Sequence, residues 1–150
     1  MAVSTDLVKH LRQLTGASMM LCKKVLEESG GDMDKAIATL KKSSEALAAK
    51  KSERTTGSGV VDAYIHAGGK VGVLIELRCE TDFVAHTDEF KRLAHDLALH
   101  IAGMSPVDGA DLYSQPFVKD QEITVEEHIK RAIAYFGEKI EVARFQRYEL

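Results

Sequence analysis

The stretch "CETDFVAHTDEF", Cys79 to Phe90, sets a thiol, an imidazole and four carboxylates close together. Cys79 and His86 are the types that a nucleophile and its base require, and Glu80, Asp82, Asp88 and Glu89 are the types that hold a magnesium ion. Neither pattern has its context. Nothing in the spacing puts the thiol against the imidazole, and acids beside the start of a helix are accounted for by the helix dipole. His95 and His100 stand five apart, a poor spacing for two ligands on one helical face. Gly68-Gly69-Lys70 lacks the upstream glycine of a phosphate loop and reads as a turn. The expectation is a protein without catalytic residues, cofactor or bound metal.

What remains specific in that stretch is Phe83, a large apolar ring placed after an acid, between a β-strand and a helix. Two readings are open. In one, Asp82 caps a helical turn and Phe83 covers the sheet, as aromatic residues commonly do. In the other, Phe83 stands exposed as a wedge for another protein, in the kind of loop that carries function.

The elements around it follow from periodicity. Leu7, Val8, Leu11 and Leu14 share one helical face, and Thr15-Gly16-Ala17 ends that helix. A second helix runs from about Ser18, with Met19, Cys22, Val25 and Leu26 on its apolar side. "GGD" at 30–32 supplies a stop and an Asp N-cap for a third, with Met33, Ala36, Ile37 and Leu40 facing inward. Residues 1–43 are thus expected to form a small three-helix domain, marginal alone. The segment "KKSSEALAAKKSERTTGSG" changes from Ala- and Lys-rich to Thr-, Ser- and Gly-rich, so 44–57 reads as a helical arm and linker. From 58 to 150 the pattern is α+β. "VVDAYIHA" and "KVGVLIELRC" are strand-like runs joined by a two-residue Gly68-Gly69 turn. Val71, Val73, Ile75 and Leu77 then line one face. Thr87 can cap a helix whose stripe is Phe90, Leu93, Ala94, Leu97, Ala98 and Ile101, ending near Gly103. A helix from Val125 to about Phe136 and a final strand, "KIEVARFQRYEL", complete a three-stranded antiparallel sheet packed on helices.

Composition agrees with two small globular parts: 150 residues, 45% hydrophobic and 29% charged, with a net charge of -3. Residues 1–54 carry ten basic against seven acidic side chains, and 55–150 carry ten against sixteen. That imbalance is too mild for a nucleic-acid binder and points to a protein partner. No apolar run approaches a bilayer span, and the N-terminus lacks a signal-peptide core, so a cytoplasmic protein without membrane contact is expected. Cys22 and Cys79 form no metal or redox motif and read as small buried hydrophobes.

The segments "LVKHLRQLTGASMMLCKKVLEESGGDMDKAIATLKK", "AAKKSERTTGSGVV", "VLIELRCETDFVAHTDEF", "HIAGMSP" and "QPFVKDQEITVEEHIKRAIAYFGEKIEVARFQRYEL" together resemble the elongation factor Ts family from end to end. The resemblance implies a guanine-nucleotide exchange factor for elongation factor Tu. It also implies an N-terminal domain of ubiquitin-associated type and a core that grips the GTPase. In that family the phenylalanine of the TDF motif enters an apolar pocket near the magnesium and phosphate sites. By resemblance Phe83 is the wedge and Asp82 its polar neighbour, with Thr81 and Val84 flanking them. Lys9, Arg12, Met19, Met20 and Lys23 match the N-terminal contact segment, and Lys51 and His100 fall at further matching places. From the residues alone, Met19 and Met20 serve equally as core, the basic side chains as a solvated face, and His100 as a satisfied core histidine.

His86-Thr87, Arg78 and Ser58 depart from the family's usual residues. With a single core copy the chain resembles the short members, in which two copies pair, so a homodimer and a 2:2 complex with the GTPase are expected. Two rival classes are open: a pure interaction module indifferent to GDP, and an enzyme dependent on Cys79 or His86.

Overall fold

A computed structural model describes residues 2–150. The chain forms two compact units, one taking in the residues up to Ser52 together with Lys130–Gly137, the other Glu53–Ile129 together with Glu138–Leu150.

In the first unit, three helices form where caps and apolar spacing coincide. The helix α1 (Thr5–Thr15) starts at Ser4, whose hydroxyl accepts the Leu7 N–H at 3.2 Å, and ends at Gly16 in the left-handed region. Ser18 caps α2 (Met19–Glu28) and Asp32 caps α3 (Met33–Lys51) in the same way. Val8, Leu11, Cys22, Val25, Leu26, Ala36 and Leu40 make the core, with Leu7, Met19, Met33 and Ile37 packed around it. The third helix runs unbroken into the segment read as a helical arm, because residues 44–51 contain neither Gly nor Pro and are rich in Ala and Lys.

The second unit is built on a sheet of β1 (Ser58–Ile65), β2 (Val71–Cys79) and β5 (Glu141–Glu149), antiparallel throughout and ordered β1-β2-β5. The hairpin loop is longer than the two residues expected. Strand pairing reaches His66, whose N–H meets the Val71 carbonyl at 2.9 Å, and Ala67–Lys70 close the turn with Gly68 and Gly69 both at positive φ. Val73, Ile75, Leu77 and Cys79 are buried on one face of β2. The helix α5 (Asp88–Met104) buries Phe90, Leu93, Ala94, Leu97, Ala98 and Ile101, the stripe expected of it. It is capped by Thr87 and ends at Ser105, whose φ of 46° marks a left-handed stop.

Between β2 and α5 lies a single turn, α4 (Asp82–Ala85). After α5 come α6 (Gly109–Ser114) and a small hairpin of β3 (Pro116–Phe117) and β4 (Asp120–Thr124), which periodicity did not reveal. The helix α7 (Val125–Phe136) has the bounds expected of it and passes from one unit into the other.

The opposite face of the sheet stays open. Register aligns Ala63 with Leu74 and Gln146, and Ile65 with Gly72 and Tyr148. Val61, Ile65, Leu74 and Tyr148 are all exposed on it. Among the described residues no helix is long and apolar enough to cross a membrane.

Candidate functional site

The turn that carries Phe83 begins where β2 runs out. Val84 and Ala85 are buried and anchor α4 from below, which leaves Asp82, Phe83 and His86 pointing outward. Phe83 is 83% exposed, so it does not cover the sheet. An aromatic side chain this open gains almost nothing for the fold. The N-cap is Thr81 rather than Asp82: its hydroxyl accepts the Val84 N–H at 3.4 Å. Asp82 is instead the first residue of the turn, and its carboxylate accepts a hydrogen bond from the Ser58 hydroxyl.

Polar bonds hold this turn from several sides. One carboxylate, Glu138, accepts the N–H groups of Glu80 at 3.1 Å and Thr81 at 3.0 Å, and the Thr81 hydroxyl at 2.6 Å. In return Glu80 accepts the Lys139 N–H at 3.3 Å and pairs with Arg54 at 3.4 Å. On the far side the Thr87 hydroxyl donates to the Val84 carbonyl at 2.7 Å while capping α5. His86 Nδ1 donates to the Asp82 carbonyl at 2.7 Å.

The chemistry considered for this stretch is not assembled. Cys79 is buried and donates to the Thr81 carbonyl at 3.2 Å, while the His86 ring is bonded to the Asp82 carbonyl. Burial and the neighbouring carboxylate of Glu138 push the Cys79 thiol up, which favours the neutral thiol over a nucleophilic thiolate. Among the described residues, no group of three or more His, Cys, Asp or Glu side chains is arranged to hold a metal.

His100 is displayed to nothing. It is fully buried, its Nε2 donates to the Gln115 side-chain oxygen at 2.9 Å, and its Nδ1 accepts the Val118 N–H at 3.1 Å. Phe117 stacks on it with centroids 5.9 Å apart. In the folded chain both ring nitrogens of His100 are thus partnered in the core, and burial lowers its pKa and favours the neutral ring.

Of the residues matched in the N-terminal segment, Lys9 and Arg12 are exposed three apart on α1. Met20 is 85% exposed on the first turn of α2, whereas Met19 packs on the core. Lys23 is exposed and pairs with Glu27 at 3.9 Å. Lys51 is half-buried at the end of α3.

Glu138, Lys139 and Arg54 carry no signal in the sequence. A carboxylate just past the helix-ending Gly137 reads as ordinary surface charge, and nothing in the spacing links it to Thr81. Ser58 stood out only as a departure from the family pattern.

The family model described as Elongation factor TS matches residues 3–106 and 80–150. The Elongation factor Ts of Thermotoga petrophila is 40% identical over 193 residues, covering 100% of this chain and 97% of that protein. That alignment is longer than this chain, so the relative carries residues that have no counterpart here. The Elongation factor Ts of Synechococcus sp. is 41% identical, covering 100% of this chain and 70% of the relative. That of Nostoc sp. is 50% identical over 148 residues, 99% of this chain and 47% of the relative. Taken with the α+β fold, these matches show that the chain belongs to the elongation factor Ts family.

Proposed function

We propose that this chain, a nucleotide exchange factor of translation elongation by its family, binds elongation factor Tu carrying GDP and promotes GDP release by inserting Phe83 beside the GTPase's magnesium and phosphate site. The observation that supports this best is the display of Phe83, 83% exposed on a turn fixed by hydrogen bonds on both sides. A ring that contributes nothing to its own fold and yet is held in place has its use in a partner.

Exchange needs no acid or base. It needs a protein that prefers the nucleotide-free GTPase, and the coupling is reciprocal: GDP weakens the factor as much as the factor weakens GDP. Burying the Phe83 ring is worth about 1.5–3 kcal/mol, and each 1.36 kcal/mol is about tenfold. The wedge alone therefore supplies roughly ten- to a hundredfold. In this reading Thr81, Asp82 and Val84 set the turn. The N-terminal unit, of ubiquitin-associated type, is a second anchor through Lys9, Arg12, Met19, Met20 and Lys23, with Lys51 as a further contact.

The open sheet face supports pairing with a second copy of the chain and a 2:2 complex. Val61, Ile65, Leu74 and Tyr148 lie exposed on it, an apolar surface that a monomer leaves in water at a cost. The site of action is the cytoplasm, without nucleic acid or membrane as partner.

The test is release of fluorescent GDP from elongation factor Tu. Wild type should accelerate release and Phe83→Ala should lose most of the effect. Equal rates for the two would leave exchange in place and take Phe83 out of it. Binding that GDP does not disturb would replace exchange with a scaffold. Sedimentation that stays monomeric at high concentration would remove the homodimer.

A further inference from the structure

We propose that Glu138 is a positioning residue for Phe83, a carboxylate clamp that fixes the turn from across the unit. The inference rests on the wedge reading of Phe83 and adds to it the group that aims the ring.

Three observations carry it. Among the described residues, the three hydrogen bonds drawn to the Glu138 carboxylate come from Glu80 and Thr81, the two residues immediately before Asp82-Phe83. Thr81 is also the N-cap of α4, so the clamp holds the residue that starts the turn and thereby fixes where the turn begins and which way it faces. The tie also runs in reverse, from the Lys139 N–H to the Glu80 carboxylate, so residues 80–81 and 138–139 are crossed in both directions. Phe83 itself is too exposed for packing to place it. Its direction is therefore set by the backbone beneath it, and the backbone by these bonds. Charge-assisted hydrogen bonds are the strong kind, and misplacing a reacting group by about 1 Å costs on the order of a hundredfold in rate.

The role predicts a loss in the maximal rate of GDP release rather than a loss of fold. Glu138→Ala should lower stimulated release by about tenfold, toward the level of Phe83→Ala. Glu138→Gln keeps one oxygen for the two N–H groups and should recover part of it. In a Phe83→Ala background Glu138→Ala should have no further effect, because the clamp then has nothing to aim. A merely structural role would instead multiply with the loss of Phe83. Hydrogen exchange followed by NMR reads the free protein independently of the GTPase. The Glu80 and Thr81 amides should lose protection in Glu138→Ala, while those of Ile75 and Leu77 keep theirs. Wild-type release by Glu138→Ala, multiplicative losses, or unchanged Glu80 and Thr81 protection would each overturn the clamp. Absence of any stimulation by wild type would instead bring down the exchange reading and the clamp with it.

Discussion

Phe83 and His100 are both expected, by resemblance, as contacts for a GTPase, and the structure treats them in opposite ways. The apolar ring is in water and the polar ring is in the core. Phe83 makes no use of burial, while the turn beneath it is held by Glu138, Ser58 and Thr87. His100 reaches no solvent and uses both nitrogens to tie α5 to Gln115 and Val118 around the β3–β4 hairpin. The difference teaches where to look for function in a protein without catalytic chemistry: at an apolar group that the fold exposes and then immobilises. A buried polar group with every partner supplied is the fold's own.

The largest effect that would sharpen this contrast is on stability. His100→Ala removes a buried side chain and leaves the Val118 N–H and the Gln115 oxygen without their partner, so it should cost roughly 2–4 kcal/mol. Phe83→Ala should change stability by less than about 0.5 kcal/mol. Urea unfolding of the two variants decides it. A stable His100→Ala protein with impaired GDP release would reverse the assignment and make His100 a contact after all.

Much of this contrast was legible before the fold. Ser18, Asp32 and Thr87 read as starting residues and each caps its helix, because a short polar side chain before an apolar stripe has a local job. His100 was half legible: it follows Leu97 by three residues and Leu93 by seven, which places it on the buried stripe. Its partners Gln115, Phe117 and Val118 were not, since they lie in or just before a hairpin too short to show alternation. The exposure of Phe83 was open between two readings because one turn of helix has no periodicity to count. Glu138 was beyond reach for a different reason. Its partners lie far away in the chain, and a carboxylate that accepts backbone N–H groups looks the same in sequence as one in water.

A smaller effect separates two residues that are exposed alike. Met20 is as open as Phe83, at 85%, but it sits on a flexible side chain. Docking it forfeits rotamer freedom worth up to about 1.5–2 kcal/mol, against about 1.5–3 kcal/mol gained by burial. Met20→Ala should therefore weaken binding to elongation factor Tu by less than about tenfold and leave the release rate at saturating factor unchanged. Titration of factor against GDP-release rate gives both quantities. A lowered plateau for Met20→Ala would mean that the N-terminal unit takes part in expelling nucleotide.

The smallest effect concerns pH. Burial lowers the pKa of His100, so the unfolded chain takes up this proton first as pH falls, starting near the ordinary histidine value of 6.5. The stability that neutral His100 contributes is fully present above that value and is lost as pH falls through it toward the lower value in the folded state. Asp32 and Glu76 are shifted downward from the ordinary carboxylate range, by the Lys35 N–H and by the Arg78 guanidinium respectively, so their contributions fade only at more acid pH. Thermal melts between pH 7.5 and 5 should therefore fall for wild type and flatten for His100→Gln, which carries no titrating ring. Protonation would place a donor at Nδ1 against the Val118 N–H, two donors facing each other, which is the physical reason the core rejects the charged form. A parallel decline in both proteins would show that another group governs this range and that His100 binds its proton as readily in the folded chain as in the unfolded one.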